Sequence, residues 1–338
     1  PDTSMLDSND IGGRQRFRML EPLREVAADE LLASGENQRF RDRHATFYLD
    51  LAKRESDRFF SPAEPDVWRV LDVEWSNFRT ALDTFERARD LDSGAELVMA
   101  LTWFAAMSMR FELFGWAAEL LDAPGVEQHR RFTDLCGAVA MKGYFTLDGQ
   151  VTERAEIGLS ADPSDPEGLC RCALASVFLN NEHTAEASDA VTSIWLANNP
   201  ATFGSRLWAN GFRVFHLCIH DPGPEMVERA AAVTKLAEET GSVTARAIAA
   251  WANGQVESFV DLDQGMQTWR DGREWAASVP SEHLADQMLV GLLLHVTARR
   301  GELTSTLVGC RDALRGALDL HYYAGASHLF GVTAIALS

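Results

Sequence analysis

Along most of the chain, apolar residues recur every three to four positions, the spacing of one helix face rather than the alternation of a strand. The first twenty residues are the exception. Ser4-Met5-Leu6 and Arg16-Phe17-Arg18-Met19-Leu20 flank Asp7-Ser8-Asn9-Asp10-Ile11-Gly12-Gly13, two β-like runs around a turn-rich cluster, and this predicts a hairpin. A lone hairpin is marginal in water, so this one is expected to belong to a domain lying ahead of Pro1. Helices follow. Leu20, Leu23, Val26, Ala27, Leu31 and Leu32 share a face, with Pro22 in the first turn and Gly35 just past the end. A second helix carries Phe40, His44, Phe47, Tyr48, Leu51 and Ala52, and stops before Ser61-Pro62-Ala63-Glu64-Pro65. A third is expected to run unbroken through Val67, Val70, Leu71, Trp75, Phe78, Leu82 and Phe85. A fourth starts at Asp92-Ser93-Gly94 and is expected to run through Leu97, Leu101, Phe104, Met107 and Met109, and Ala123-Pro124-Gly125 closes the section.

Beyond residue 130 the pattern repeats. Helices with small and aromatic residues on one face are predicted to start near Phe132, Leu169, Ser205, Thr244, Leu284 and Ala324, at steps of 36 to 40 residues. Each ends in a short turn: Asp148-Gly149, Asn180-Asn181-Glu182, Asp221-Pro222-Gly223, Asp261-Leu262-Asp263 and Arg300-Gly301. Each turn opens a second helix, such as Met226 to Glu239 with Met226, Ala230, Val233 and Leu236 on one stripe. The second helices stop at Asp162-Pro163, Asn199-Pro200, Gly241 and Pro280. Paired helices at this period mark an α-solenoid close to the ~34-residue tetratricopeptide unit. The expected fold is therefore all-α: a hairpin over 1–20, a helical linker over 21–130, and a right-handed tetratricopeptide-like array over 131–338. Pro1 and the apolar Ala334-Ile335-Ala336-Leu337-Ser338 suggest that the chain is a piece of a longer protein.

Composition narrows the function. The 338 residues carry 50 acidic and 31 basic side chains, a net charge of −19, which argues against electrostatic binding to nucleic acid or anionic membrane. No apolar run approaches the ~20 residues of a membrane span, and no signal peptide is evident. Five scattered cysteines suit a reducing cytoplasm. Only Lys53, Lys142 and Lys235 are lysine, a skew to arginine that suggests a GC-rich bacterial genome.

The stretch Arg16-Phe17-Arg18-Met19-Leu20-Glu21, then Leu23-Arg24-Glu25, resembles a junction in large bacterial ATPases of the STAND class. Glu30-Leu31-Leu32-Ala33-Ser34-Gly35-Glu36, Arg43-His44-Ala45 and Tyr48-Leu49-Asp50-Leu51-Ala52 resemble its continuation, and Asp72 to Leu82 resembles the family's next helix. Val26, Trp75 and Phe78 depart from the family pattern. The resemblance, over residues 4–82, implies that the hairpin is the wing of a winged helix closing an NB-ARC-like nucleotide-binding module. It also implies that the array senses an inducer or a protein or peptide partner and restrains that module. ATP and magnesium would then belong upstream, since no G-x-x-x-x-G-K-[ST] loop occurs here and no cofactor is expected within 1–338. The implied output is a LuxR-type DNA-binding domain. Two alternatives are a class III adenylate or guanylate cyclase regulated by the same array, and an interaction scaffold without a nucleotide switch.

Candidate chemistry is sparse, and catalysis within the chain is not expected. His216 and His220 are four apart on a helix but lack a third ligand, so a structural role is preferred. Cys170-x-Cys172 has the wrong spacing for a metal or redox pair. Asp261-x-Asp263-x-Gly265 fits a helix cap better than a calcium loop. No metal site is predicted. Trp103, Trp116, Trp195, Trp208, Trp251, Trp269 and Trp275 fall in predicted helices, where packing between layers is the favoured reading for each. First helices of a solenoid line its concave face, so Trp208, Asn210, Arg213, Trp251, Asn253 and His295 form the candidate ligand or partner groove. Residues 1–58 hold 10 basic and 12 acidic side chains, making this section the expected docking surface for the nucleotide-binding module.

Overall fold

A computed structural model describes residues 6–11, 14–147, 151–177, 202–279 and 282–338. The hairpin forms as expected: β1 (Leu6–Ile11) pairs antiparallel with β2 (Arg14–Met19), with Leu6 opposite Met19. Among the described residues, the regular elements after it are all helices, beginning with α1 (Glu21–Ala33), α2 (Asn37–Phe59), α3 (Glu64–Val73), α4 (Trp75–Ala88), α5 (Leu91–Met107) and α6 (Glu112–Leu121). The repeats supply α7 (Phe132–Thr146), α8 (Val151–Ala161), α9 (Leu169–Val177), α10 (Phe203–His220), α11 (Pro224–Thr240) and α12 (Val243–Ser258). They end with α13 (Leu262–Ala276), α14 (Leu284–Arg299), α15 (Leu303–Asp319) and α16 (Tyr323–Leu337). The chain is an all-α helical repeat.

The six first helices begin within two residues of their expected starts because local punctuation fixes them. Ser242 accepts from the Ala245 amide to cap α12, and Asp261 accepts from Asp263 and Gln264 to cap α13. Gly241, at φ +65°, and Gly301, at φ +75°, take the left-handed conformation that closes a helix. The turns at 148–149 and 180–182 and the breakers at 199–200 and 280 lie outside the described residues.

Two expectations fail. Helix α5 ends at Met107, short of the expected Met109, because Met109 takes a left-handed φ of 55° that a helix cannot continue through. The helix expected to run unbroken from Val67 to Phe85 is two helices, α3 and α4, meeting at Glu74. Neither Gly nor Pro causes the break. The Glu74 carboxylate instead accepts from Tyr48 Oη (3.2 Å) and Asn77 Nδ2 (2.6 Å), which holds the chain in a turn there. Helix α6 contains Trp116, which the sequence places in a helix without giving that helix bounds.

Along the array, α7, α9, α10, α12, α14 and α16 lie side by side, and α16 returns to pack on α7, so the inner face closes on itself. Phe145 sits at the meeting point, 5.9 Å from the Trp208 ring and 6.3 Å from that of Tyr322. The linker helices join the same core: Trp68 of α3 stacks on His283, at 5.0 Å between centroids, and one hydrophobic cluster runs from Ala45 to Ala326. Helix α1 is different, with no buried residue.

Helices α7 and α9 cross with their backbones in contact at Gly137, where a Cβ would lie 2.6 Å from Leu169 Cβ and 2.7 Å from the Cys170 amide nitrogen. Gly137→Ala is therefore expected to overpack the crossing and cost about 1–3 kcal/mol. A urea midpoint equal to that of the parent protein would contradict this close approach.

Candidate functional site

The linker meets the array through two polar clusters, one half-buried and one buried, and both depend on residues far apart in sequence. Arg131, at the N-cap of α7, is the hub of the first. Its Nε donates to Glu96 (2.9 Å) of α5, and its Nη1 to Asp134 (3.0 Å) and Glu167 (2.8 Å). Lys53 of α2 approaches Glu96 at 3.3 Å, and Arg130 approaches it at 2.8 Å. Burial alone would raise the Glu96 carboxyl, but hydrogen bonds and charge from Arg131 and Lys53 outweigh it and bring the pKa down to about 2. For Asp134 burial wins: its pKa rises to about 6 despite the bond from Arg131.

This cluster forms one side of a cavity of about 640 Å³ between α2, α5 and α10. Opposite it stand Phe60, Trp103 and Phe203, with Phe60 at 4.8 Å from Phe203 and 6.2 Å from Trp103. Gly204 makes this wall possible, since any Cβ there would overlap the Trp103 indole. A volume of 300–1,000 Å³ with apolar walls and a few polar groups suits a small ligand.

The second cluster is sealed. Glu64, in the first turn of α3, reaches the N-terminus of α12, accepting from Ser242 Oγ (2.5 Å), the Thr244 amide (3.2 Å) and the Thr244 hydroxyl. Thr244 Oγ1 is 2.9 Å from His283 Nε2, while His283 Nδ1 accepts from the Ala285 amide at 3.0 Å. The accepting Nδ1 places the ring proton on Nε2, so the bonds run from His283 through Thr244 to Glu64. Burial pushes Glu64 up to about 7, against the hydrogen bonds it accepts, and pushes His283 down to about 3. The carboxylate, hydroxyl and imidazole are the groups of a proton relay. All three residues are at most 2% exposed, so they hold helices together rather than meet a substrate.

The residues proposed for a concave groove are mostly spent on packing. Trp208 is 1% exposed and donates to Ser176 Oγ (3.0 Å); Trp251 is 3% exposed between Phe212 and Phe215. Arg213 is buried and makes a two-pronged pair with Glu225 (3.1 and 2.9 Å). Asn210 donates to the Arg206 carbonyl, and Asn253 to Thr234 and to the Ala249 carbonyl. Of the six, Trp251 and His295 line cavities, two different ones and neither that beside Arg131.

Cys170 and Cys172 are buried, and their thiols donate to the carbonyls of Thr133 (3.3 Å) and Ser205 (3.5 Å). All five cysteines are free thiols, with no disulfide between them. His216 is buried; Trp195 and the side chain of His220 lie outside the described residues. Trp103 is half-buried, Trp116 and Trp269 are buried, and Trp275 is exposed with Arg246 over its ring at 4.6 Å. Among the described residues, no group of three or more His, Cys, Asp or Glu is placed to hold a metal, and no helix is long and apolar enough to cross a membrane.

Neither Arg131 nor Glu64 stood out in the sequence. Glu64-Pro65 reads only as part of the breaker before which the second helix stops, and no motif marks Arg131. Comparison of the chain with protein-family models, curated proteins and solved structures finds no match in any of the three.

Proposed function

We propose that this chain is the regulatory region of a STAND-class, ATP-dependent bacterial transcriptional regulator with a LuxR-type output, acting in the cytoplasm. In that reading the array receives an inducer or protein partner, and the N-terminal section restrains an upstream nucleotide-binding module that holds ATP and magnesium. The chain itself performs no catalysis.

The observation that supports this best is an uncovered apolar stripe. Phe17 and Met19 on the hairpin, Leu20, Val26 and Leu32 along α1, and Phe40 and Phe47 on α2 are all 38–67% exposed. A 13-residue helix that buries nothing is not stable alone, so α1 needs a surface to lie on. The winged-helix end of a nucleotide-binding module is the surface that the Arg16–Glu36 resemblance supplies. The junction clusters give the restraint a route, because Glu64, Trp68 and Arg131 tie the helices following this stripe to the array. An inducer would act by its differential affinity for the restrained and released states.

Reading the coding region on both sides of the chain tests the proposal. A phosphate-binding loop ahead of it and a helix-turn-helix beyond it are expected. A cyclase domain ahead of the loop would move the output to second-messenger synthesis. Without a phosphate-binding loop upstream, the proposal fails.

A further inference from the structure

A second cavity, of about 780 Å³, opens where α10, α12 and α14 end, and its chemistry differs from that of the first. Its floor is apolar, formed by Phe215, Ile219, Phe259, Leu262, Trp269 and Leu292. Its polar edge holds Arg299, Arg300, His295 and His328, together with Gln255 and Ser258. No lining residue is acidic, in a chain where acids outnumber bases by 50 to 31. The cavity beside Arg131, by contrast, is lined by Asp57, Glu96 and Glu167.

The two arginines are not equivalent. Arg300 is engaged by Asp263 at 2.7 Å, whereas Arg299 makes no hydrogen bond or ion pair among the described residues. His295 lies parallel to His328, at 6.1 Å between centroids. Burial, then His328 and Arg299, hold His295 below the usual imidazole range, leaving a neutral ring that hydrogen-bonds without adding charge. The floor is unfinished: Ile219 is 55% exposed and Phe259 53%, so apolar surface still faces water.

We propose that this cavity binds a small organic anion with an apolar body, a single carboxylate on a hydrocarbon or aromatic framework. The body covers Phe215, Ile219, Phe259 and Leu292, and removing that surface from water drives binding. The carboxylate lies at Arg299, where a charge-assisted hydrogen bond gives an unpaired guanidinium its partner. The field of a −19 chain repels anions, so a locally basic cavity selects for one. This deepens the sensor reading by naming the class of inducer. The coupling rests on that reading; the binding does not.

Titration calorimetry of the 338-residue chain with octanoate, 1-octanol and octylammonium, all below their aggregation limits, tests the assignment. Octanoate is expected to saturate one site at least about tenfold more tightly than 1-octanol, with octylammonium weaker still. Arg299→Gln should weaken octanoate about tenfold and leave 1-octanol unchanged. Ile219→Glu, which places a negative charge at the exposed floor, should abolish octanoate binding. Both sites are at the surface, and melting curves matching the parent protein confirm that the variants fold. Equal affinity for octanoate and 1-octanol, or indifference to Arg299→Gln in a variant that melts normally, would overturn the proposal. Sedimentation with anionic phospholipid vesicles in the absence of octanoate binding would also overturn it, making the patch a membrane contact. Octanoate binding with no change in the full-length protein's ATP turnover would leave the site standing and remove its role as inducer site.

Discussion

Arg131→Ala is expected to destabilise the protein by about 3–5 kcal/mol, the largest effect of any single polar substitution in the junction. One guanidinium serves three carboxylates: Asp134, 2% exposed at its side chain, Glu96 at 17% and Glu167 at 27%. Deleting it takes this cation from the buried Asp134 and from Glu167, while Glu96 keeps Lys53 and Arg130, and a buried carboxylate stripped of its partner costs far more than the intact cluster contributes. For a two-state chain of this length the loss lowers Tm by about 5 °C. Arg131→Lys is expected to recover part of it, because a compact ammonium cannot span Glu96, Asp134 and Glu167 as a planar fork does. Thermal melts of the three proteins decide the matter. A lysine variant as stable as the parent protein would mean that charge, not geometry, is what Arg131 supplies.

Glu64→Gln is expected to raise stability at alkaline pH and to change it little near pH 5. The Glu64 carboxyl titrates near 7 in the fold, against about 4.5 when exposed. The folded state therefore holds its proton over the range in which the unfolded chain has lost it. Stability from this position falls as pH rises from about 4.5 to 7 and levels off above about 8. At ~1.4 kcal/mol per pKa unit the full swing is about 3 kcal/mol. The glutamine carries no charge, so its own contribution is flat. His283, held down to about 3, works in the opposite sense, adding stability as pH rises from about 3 to 6.5. It does so in both proteins and cancels in the comparison. Urea unfolding of both at pH 5, 6, 7 and 8 should show the gap opening in favour of glutamine. A gap independent of pH would contradict the buried charge.

The pattern of the array was legible because its determinants are local. Gly241, Asp261 and Gly301 act within one turn of the helices they stop or start, and the Met226–Leu236 stripe records which side faces inward. Closure was not legible. Helix α16 returns to α7, and Glu64 meets Thr244 across a sequence separation of 180, and neither leaves a mark in a 36- to 40-residue period. The break at Glu74 was hidden for a related reason, since the tyrosine that holds it lies 26 residues away. The six groove residues show where surface and core readings of an aromatic diverge. Trp208 and Trp251 sit on first helices, as the pattern implied, but in a closed array that face is interior. Trp251 and His295 still reach the walls of two separate cavities.

We propose restraint of a nucleotide-binding module through the N-terminal stripe, and ATP turnover by that module, expressed separately and titrated with the 338-residue chain, is the measurement that decides it. Turnover is expected to fall to a plateau as the chain saturates the module, and Val26→Glu with Leu32→Glu is expected to abolish the effect. Turnover unchanged at high excess of the chain would contradict it.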